Sequence, residues 1–192
     1  MKDLILHMII SIDGFIADRH GSVNPETQWD EEMQQFYLDL FTKADSLVCG
    51  RGLFEQYLGH WEKVATGTLP AVNNTELKWT RRLVEMRRYV LSTKLKEIAG
   101  NATVIQGDLA KEITRLKQEA RGDLLLMCGP ALFAQLTAQR LIDKYMLYVC
   151  PSAVGQGTPL FRDIPENIKL RFERTVLFAT GVNLVYYAPV YE

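Results

Sequence analysis

The sequence predicts a mixed α/β fold in which a mostly parallel sheet ends in an antiparallel hairpin. Through most of the chain, short apolar runs typical of buried strands alternate with segments of helical periodicity. This alternation favours a parallel sheet with helices on both faces. After residue 150 the helical segments stop, and strand-like runs separated by Pro, Gly and Asn turns indicate an antiparallel end to the sheet.

The first part of the chain predicts a strand, a helix, and a second strand that leads into a second helix. Residues 3–11 form an Ile-rich run that ends at the turn dipeptide Asp13-Gly14, so a strand is expected almost at the first residue. Residues 46–49 are predicted as a buried strand, with a helix opening at Gly50-Arg51-Gly52. Between the two strands, one helical face starting after Asp30 is formed by Met33, Phe36, Tyr37, Leu40 and Phe41.

The rest of the chain continues the alternation. Residues 60–74 carry Gly67, Pro70 and the turn-prone Asn73-Asn74, which predicts a long surface connection before a helix at 75–86. No repeat, low-complexity tract or linker divides the chain, so residues 1–192 are predicted to form a single domain. The remaining predicted elements are strands at 89–92, 103–105, 123–128, 142–150, 170–178 and 182–189 and helices at 109–120 and 131–139.

Composition excludes several classes of protein. Lys and Arg total 22 against 23 for Asp and Glu, which leaves no basic field to attract nucleic acid or an anionic membrane. No apolar stretch approaches the roughly 18 residues of a membrane span, and the N-terminal residues lack the pattern of a signal peptide. We therefore expect a cytoplasmic protein. The cysteines form no C-x-x-C pair and are expected to be buried reduced thiols: Cys49, Cys128 and Cys150. The histidines are widely spaced and predict no metal site: His7, His20 and His60.

Candidate ligand contacts follow three of the predicted strands. In open α/β sheets, ligands bind beyond the carboxyl ends of strands, where helix N-termini favour anions. Gly50-Arg51 combines close backbone approach with a guanidinium, although a glycine turn with a solvated arginine explains it equally well. Ser92-Thr93-Lys94 offers two hydroxyls and a cation, and its alternative is an ordinary turn or cap. Gly129-Pro130-Ala131 starts a helix with a proline whose missing N–H would have no helical partner.

Five segments along the chain carry a family resemblance. They are Ser11-Ile12-Asp13-Gly14-Phe15-Ile16-Ala17, Gly50-Arg51, Arg88-Tyr89-Val90-Leu91-Ser92, Cys128-Gly129-Pro130-Ala131-Leu132-Phe133, and Gly155-Gln156-Gly157-Thr158-Pro159-Leu160-Phe161. In this order, they resemble the dihydrofolate reductase-like superfamily. The branch that they resemble most is the reductase domain of the bifunctional riboflavin-biosynthesis protein with its stand-alone relatives. The resemblance runs essentially from end to end.

The resemblance implies a three-layer dihydrofolate reductase-like sandwich that binds NADPH across its sheet. By it, Gly50 and Arg51 would hold the adenosine-side phosphates, and Ser92, Thr93 and Lys94 would flank the 2′-phosphate. The pyrophosphate would lie on the helix start formed by Gly129, Pro130, Ala131, Leu132 and Phe133. The nicotinamide would be walled by Ile10, Ile16 and Ala17.

A proline at position 130 gives one further expectation. Much of the superfamily has two glycines here, joined by a cis peptide bond. A cis bond costs about 2.5–4 kcal/mol before other residues but only about 0.5–1 before proline. We therefore expect a cis bond between Gly129 and Pro130. The alternative is a trans proline at the first helical position, which would weaken the pyrophosphate assignment.

The acidic group that such a reductase places near its substrate has two candidates. Asp30, Glu31 and Glu32 start the first helix, where acids also stabilise a helix N-terminus, but dihydrofolate reductases carry their carboxylate where this chain has Gln34. Glu32 is one candidate. Asp13, in the loop after the first strand, is the other, and its alternative is a turn residue. Flat apolar contacts for a substrate ring are expected from Trp29, Phe36 and Phe161, each of which is also an ordinary core residue type.

The resulting prediction is an NADPH-dependent reductase of a pyrimidine, pterin or related small heteroaromatic substrate. Water, ordered by Asp13 or Glu32, would supply the proton. The alternative is a nucleotide-binding sensor or assembly protein on the same fold that has lost catalysis, which Gln34 favours. A homodimer is expected because the alternating Val182, Leu184 and Tyr186 suggest a sheet edge that could pair with a second copy.

Overall fold

The computed structural model describes residues 1–22, 29–98 and 100–191. The chain forms two compact units, each built from two segments. The first unit contains Met1–Lys2 and Asp30–Met127, and the second contains Asp3–Trp29 and Cys128–Glu192. Within the described residues, no helix combines the length and the apolar character that crossing a membrane requires.

The elements follow one another as the alternation predicts. In chain order they are β1 (Leu4–Ser11), β2 (Phe15–Asp18), α1 (Glu31–Lys43), β3 (Ser46–Gly50), α2 (Arg51–Leu53), a π-helical segment (Phe54–Leu58), α3 (Gly59–Ala65), α4 (Asn74–Glu85), β4 (Arg87–Leu91), β5 (Ala102–Ile105), α5 (Leu109–Glu119), β6 (Leu124–Met127), α6 (Pro130–Ala138), β7 (Lys144–Cys150), β8 (Gly157–Pro159), β9 (Leu170–Leu177) and β10 (Asn183–Pro189).

The strands of the first unit are all parallel, in the order β5-β4-β3-β6. Gly50 at the end of β3 pairs with Leu91 at the end of β4, and Cys49 pairs with Met127 at the end of β6. The carboxyl ends of these strands therefore meet at one edge. The residues that follow β3 and β4 are consequently neighbours across the sheet.

Helices α1, α3 and α4 of the first unit pack on one another around aromatic side chains. Asp30 caps α1 by accepting a hydrogen bond from the Met33 amide at 2.9 Å. Tyr37 contacts Trp79 with 5.7 Å between ring centroids, and Trp61 contacts Trp79 at 4.6 Å. Tyr37 and Trp79 are almost completely buried. This cluster fixes α1 and α3 to α4 by burying large apolar surfaces.

The second unit contains the antiparallel part of the fold. Its strand β1 pairs with β7 in parallel, whereas β10 lies between β7 and β9 and is antiparallel to both. Strands β2 and β8 form a separate antiparallel pair. The predicted fold class, a mostly parallel α/β sheet with an antiparallel C-terminal hairpin, is confirmed. The three cysteines are buried thiols, as predicted.

One local prediction is wrong, and one pair of strands was missed. Residues 60–65 of the predicted surface connection 60–74 are helical, because Trp61 and Val64 are held by packing that the turn residues after them do not reveal. The β2–β8 pair was not predicted at all. Its strands have four and three residues, too few to show a period.

The predicted sheet edge is also wrong. Val182 and Leu184 are at most 1% exposed because β10 lies inside the sheet, so their alternation marks a core face. The outer strand of the hairpin is β9, which carries Arg171, Glu173 and Arg174 and a register shift opposite Tyr186/Tyr187. Charges and bulges are the devices by which edge strands avoid pairing with other chains. The homodimer stays a prediction, but an exposed sheet edge at residues 182–186 no longer supports it.

Candidate active site

In the first unit, Arg51 follows β3 directly. Gly50 is the N-cap of α2 in an extended conformation, with φ −84° and ψ 159°. The Arg51 guanidinium donates a hydrogen bond to Glu55 at 2.8 Å, and both side chains are nearly half exposed. Such exposed pairs contribute about 0–1 kcal/mol, so an incoming phosphate competes for the guanidinium at little cost.

Ser92, Thr93 and Lys94 form a turn directly after β4. The Ser92 hydroxyl accepts hydrogen bonds from the Lys94 and Leu95 amides, both at 3.1 Å, which is the turn geometry weighed as the alternative for this motif. Its proton is still available to an acceptor. Thr93 and Lys94 are exposed. Because Gly50 pairs with Leu91, this turn lies beside Arg51 at the strand-end edge of the first unit.

In the second unit, the start of α6 differs from the expected geometry. The Gly129–Pro130 peptide bond is trans, so the predicted cis bond is wrong. Pro130 instead occupies the first helical position. Its fixed φ suits the helix there, and its missing N–H costs no hydrogen bond, because an N–H at this position has no partner within the helix. Gly129 is the extended N-cap, and its carbonyl accepts from the Phe133 amide at 3.0 Å. The cis geometry therefore no longer supports a pyrophosphate at this helix start, and the assignment depends on the helix terminus alone.

The turn after β1 is organised by Asp13. Its Oδ1 accepts hydrogen bonds from the Ser11 hydroxyl at 2.5 Å and the Val154 amide at 3.1 Å, and its Oδ2 accepts from the Gly155 amide at 2.7 Å. These bonds, the one from Ser11 most of all and those from Gly155 and Val154 after it, lower the pKa of Asp13 to about 2. At neutral pH Asp13 is therefore a carboxylate that accepts hydrogen bonds from the backbone of residues 154 and 155, and it carries no proton to donate.

The residues predicted to wall the nicotinamide lie in β1 and β2. Ile10 pairs with Val149 of β7, and Ala17 lies opposite Thr158 of β8. Both Ile10 and Ala17 are 7% exposed, whereas Ile16 is half-buried. Of the three, Ile16 has the most side-chain surface available to a ligand.

Two aromatic residues of the second unit meet beside this turn. Phe161 is 36% exposed, and its ring packs edge-on against Phe133 of α6 with 5.5 Å between centroids. Phe133 itself is fully buried. A Cβ atom on Gly14 would lie 3.8 Å from the Phe161 ring, so ring and turn are neighbours. Phe161 thus combines contact with the Asp13 turn and an exposed ring surface.

The remaining predicted residues lie at or near the start of α1. Glu32 is exposed in its first turn, and Phe36 is half-buried one turn later. Gln34 is 1% exposed. Glu31 accepts hydrogen bonds from Asn73 and Thr75, which connects the helix to the start of α4. Trp29 belongs to the second unit and is half-buried.

The sequence did not identify the partners of Asp13. Ser11, Val154 and Gly155 complete the turn, and the last two lie about 140 residues away in the chain. The Gly155-Gln156-Gly157 motif was their only signal. The same segment lines an open cleft of about 600 Å³, whose walls are Asp18, Arg19, His20, Ser152, Ala153, Val154, Gly155 and Gln156.

Together, the fold and these residues define a class: an α/β protein with candidate phosphate-binding groups at the carboxyl ends of parallel strands. The chain belongs to the RibD C-terminal domain family, whose profile matches residues 2–184. This confirms the resemblance found in the sequence. One relative, the uncharacterized protein YyaP of Bacillus subtilis, is 27% identical over 97% of this chain and 94% of its own.

Solved structures share the fold at low sequence identity. A protein of Shewanella sp. PV-4 provisionally assigned to riboflavin biosynthesis has a TM-score of 0.72 and 18% identity, with full coverage of both chains. The Thermotoga maritima diaminohydroxyphosphoribosylaminopyrimidine deaminase/5-amino-6-(5-phosphoribosylamino)uracil reductase has a TM-score of 0.67 and 16% identity, over 98% of this chain and 57% of its own.

Enterococcus faecalis dihydrofolate reductase, solved in complex with NADP(H), matches at a TM-score of 0.62 and 16% identity, over 97% of this chain and 96% of its own. The fold is thus dihydrofolate reductase-like, as the sequence predicted. Reductases are among the proteins that share it.

Proposed function

We propose that the protein is an NADPH-dependent reductase that transfers hydride to a pyrimidine, pterin or related small heteroaromatic substrate. Membership of the RibD C-terminal domain family supports the reaction class. The observation that carries the cofactor proposal is the register of β3 and β4, since Gly50 opposite Leu91 makes Arg51 and the turn 92–94 neighbours. NADP(H) is the cofactor of a reductase that shares the fold.

The residues proposed to hold the adenosine end of NADPH belong to the first unit. Gly50 has no side chain to obstruct a phosphate, and Arg51 can exchange the Glu55 carboxylate for one. Lys94 is the exposed cation of the neighbouring turn, with the Ser92 and Thr93 hydroxyls beside it. A cation with two hydroxyls suits the dianionic 2′-phosphate, which distinguishes NADPH from NADH.

The other proposed cofactor residues belong to the second unit. Backbone amides at the start of α6 are proposed to meet the pyrophosphate, because the first-turn amides of a helix lack internal partners. Ile10, Ile16 and Ala17 are proposed to give the nicotinamide an apolar surround that excludes water. When bound, NADPH supplies the hydride. The protein's task is to orient the substrate and provide a proton.

Substrate contacts are proposed from Trp29, Phe36 and Phe161. Phe161 is favoured among them because its partly exposed ring is fixed by Phe133 and the Gly14 turn. The proton is proposed to come from water ordered near the exposed Glu32 carboxylate, since the Asp13 carboxylate already accepts three hydrogen bonds from the protein. Catalysis without a carboxylate at position 34 separates this proposal from a dihydrofolate reductase mechanism.

The test combines cofactor binding with turnover. The purified protein is titrated with NADPH and with NADH by fluorescence. Loss of NADPH absorbance is then followed with 5-amino-6-(5-phosphoribosylamino)uracil and with dihydrofolate. We expect tighter binding of NADPH than of NADH, and turnover of the uracil compound. Tight NADPH binding without turnover of either substrate, or of a wider set of carbonyl compounds, would favour the alternative, a nucleotide-binding sensor without catalysis. The buried Gln34 suggests this alternative. Absence of NADPH binding would refute both functions.

A further inference from the structure

Asp13 joins two chain segments of the second unit, the turn 11–15 and residues 154–155, by hydrogen bonds. Among the described residues, three donate hydrogen bonds to its carboxylate: Ser11 in its own turn, and the Val154 and Gly155 amides. Hydrogen bonds to an ionised acceptor are roughly twice as strong as neutral ones. Both carboxylate oxygens are therefore committed to fixing the backbone around them.

Further hydrogen bonds extend the connection on both sides of Asp13. The Ile12 amide donates to the Ser152 carbonyl at 2.9 Å, and the Leu160 amide donates to the Gly14 carbonyl at 2.9 Å. The Ser11 hydroxyl accepts from the Phe15 amide at 3.0 Å, which closes the turn. The turn 11–15 and the segment 152–160 are consequently one hydrogen-bonded assembly.

This assembly ends at Phe161. The hydrogen bond from the Leu160 amide to the Gly14 carbonyl fixes the residue before Phe161, and the Phe161 ring lies beside Gly14. The opposite constraint comes from Phe133. A change in the position of the turn 11–15 therefore moves Leu160 and, with it, the neighbouring residue that carries the ring.

We propose that Asp13 is a positioning residue that fastens the turn 11–15 to the segment 152–156 and, through Gly14 and Leu160, sets the position of Phe161. Its role in the reaction depends on the proposed function, in which Phe161 contacts the substrate ring. Asp13 then affects the substrate through Phe161 rather than by touching the reacting atoms.

The experiment uses Asp13→Asn in the full chain. Asparagine presents one acceptor oxygen and an NH₂ donor to two amide donors, so one of the two amide bonds is lost. We therefore expect exchange to accelerate by roughly tenfold at whichever of the Val154 and Gly155 amides loses its bond. The KM for 5-amino-6-(5-phosphoribosylamino)uracil should rise about tenfold by the same lost bond.

Two controls isolate the effect. Asp18→Asn makes the same change in the next turn, where Asp18 accepts from the His20 and Ser22 amides, and it should leave exchange at Val154 and Gly155 unaltered. Asp108→Asn changes the N-cap of α5 in the first unit and should leave KM unaltered, because asparagine caps as well as aspartate. A third variant, Phe161→Ala, closes a double-mutant cycle with Asp13→Asn.

The cycle decides the route. If Asp13 acts through Phe161, Asp13→Asn has no further effect on KM once Phe161 is alanine. Additive effects on KM, or unchanged exchange at Val154 and Gly155, overturn the proposal. If the wild-type protein neither binds NADPH nor reduces the uracil compound or dihydrofolate, the proposed function fails separately, and the exchange measurement alone then decides whether Asp13 fastens the two segments.

Discussion

Two ionisable residues at the start of the second unit have lowered pKa values for opposite reasons. His7 lies in the core of β1, where burial disfavours the charged imidazolium and lowers its pKa from 6.5 to about 4. Asp13 is exposed, and hydrogen bonds that favour its charged form lower its pKa from 3.8 to about 2. Asp13 therefore stabilises the fold above pH 3.8 and loses this effect as the pH falls towards 2. His7 lowers the stability of the fold in a higher window, as the pH falls from 6.5 to 4.

His7 predicts a loss of stability on mild acidification. Between pH 6.5 and 4 the unfolded chain binds a proton at His7 that the folded protein does not, so the free energy of unfolding falls as the pH falls. The full difference is roughly 3 kcal/mol. Urea denaturation of the wild type and His7→Leu at pH 7 and pH 4.5 measures it. The variant should lose most of the pH dependence, whereas His20→Gln, a change on the exposed turn after β2, should keep it. An unchanged slope in His7→Leu would contradict the prediction.

Gly157 is required by the close approach of β8 to β2. A Cβ atom at this position would lie 2.1 Å from the Ala17 carbonyl oxygen, and the clashing atoms are backbone. Gly157→Ala should therefore push the two strands apart and destabilise the protein by about 3 kcal/mol or more, measured by thermal unfolding. Gly52→Ala is the matched control. Nothing lies within 4 Å of its added Cβ, and alanine should be neutral or slightly stabilising in that helix. Similar effects of both substitutions would show that β2 and β8 do not approach closely.

At the scale of elements, the sequence predicted what local periodicity determines. The apolar runs of β1, β3 and β6 and the stripe of α1 were identified from a few residues each, because a strand buried on both faces and an amphipathic helix carry their patterns locally. The helix at 59–65 and the β2–β8 pair depend on contacts with distant residues, Trp79 in one case and the 157–159 segment in the other. No local pattern carries that information.

The candidate site shows the same limit. Its strand-end residues were predicted because glycine, hydroxyl and basic residues follow apolar runs in the sequence. The bonds from Val154 and Gly155 to Asp13 cross about 140 residues, so sequence reasoning placed Asp13 near the substrate without seeing that its carboxylate is already engaged. The trans bond at Pro130 was missed because a peptide bond before proline favours the trans isomer by only about 0.5–1 kcal/mol. The surrounding helix start therefore decides the isomer.

An ion pair between a buried arginine of β4 and a half-exposed glutamate of α3 joins these two elements. The Arg88 side chain is 4% exposed and donates to Glu62 at 2.7 Å, whereas Glu62 is 45% exposed. Removing the carboxylate leaves a buried cation without its counter-charge, but removing the cation leaves only a solvated carboxylate. Because Glu62 is half exposed and solvent screens the pair, Glu62→Ala should destabilise the protein by about 1–2 kcal/mol, and Arg88→Met by less.

The order of these two variants is the test of the ion pair. Urea denaturation gives both free energies of unfolding, and the double variant should be more stable than Glu62→Ala alone, because the uncompensated charge is gone. If Arg88→Met were the more damaging substitution, packing of the arginine side chain, including its contact with the Phe54 ring, would outweigh the charge.

The turn after β4 predicts the choice between the two nicotinamide cofactors. Lys94 is exposed and is proposed to meet the 2′-phosphate, a charge-assisted contact of about 1.5–3 kcal/mol. Lys94→Ala should weaken NADPH binding tenfold or more and leave NADH binding unchanged, as measured by fluorescence titration. Lys96→Ala removes an exposed lysine two residues further on and should affect neither cofactor. Equal weakening of NADPH and NADH by Lys94→Ala would remove the 2′-phosphate from this turn.

For the whole molecule, the chain path predicts cooperative unfolding. The chain passes from one unit to the other after residues 2, 29 and 127, so each unit consists of segments that the other unit separates in sequence. When residues 30–127 unfold, the two segments of the second unit are no longer held at a fixed separation, and closing the long loop between them opposes folding of that unit. A single transition is therefore expected, as for a single domain.

Two probes that report different units test this expectation. In Trp29→Phe, the remaining tryptophans Trp61 and Trp79 both belong to the first unit, so fluorescence follows that unit alone. Hydrogen exchange at the amides of β7 follows the second unit. Both should give the same urea midpoint and the same free energy of unfolding, because the two segments of the second unit are joined in the chain only through residues 30–127. Separate midpoints would show two domains that fold independently, and the prediction of a single domain over residues 1–192 would then be wrong.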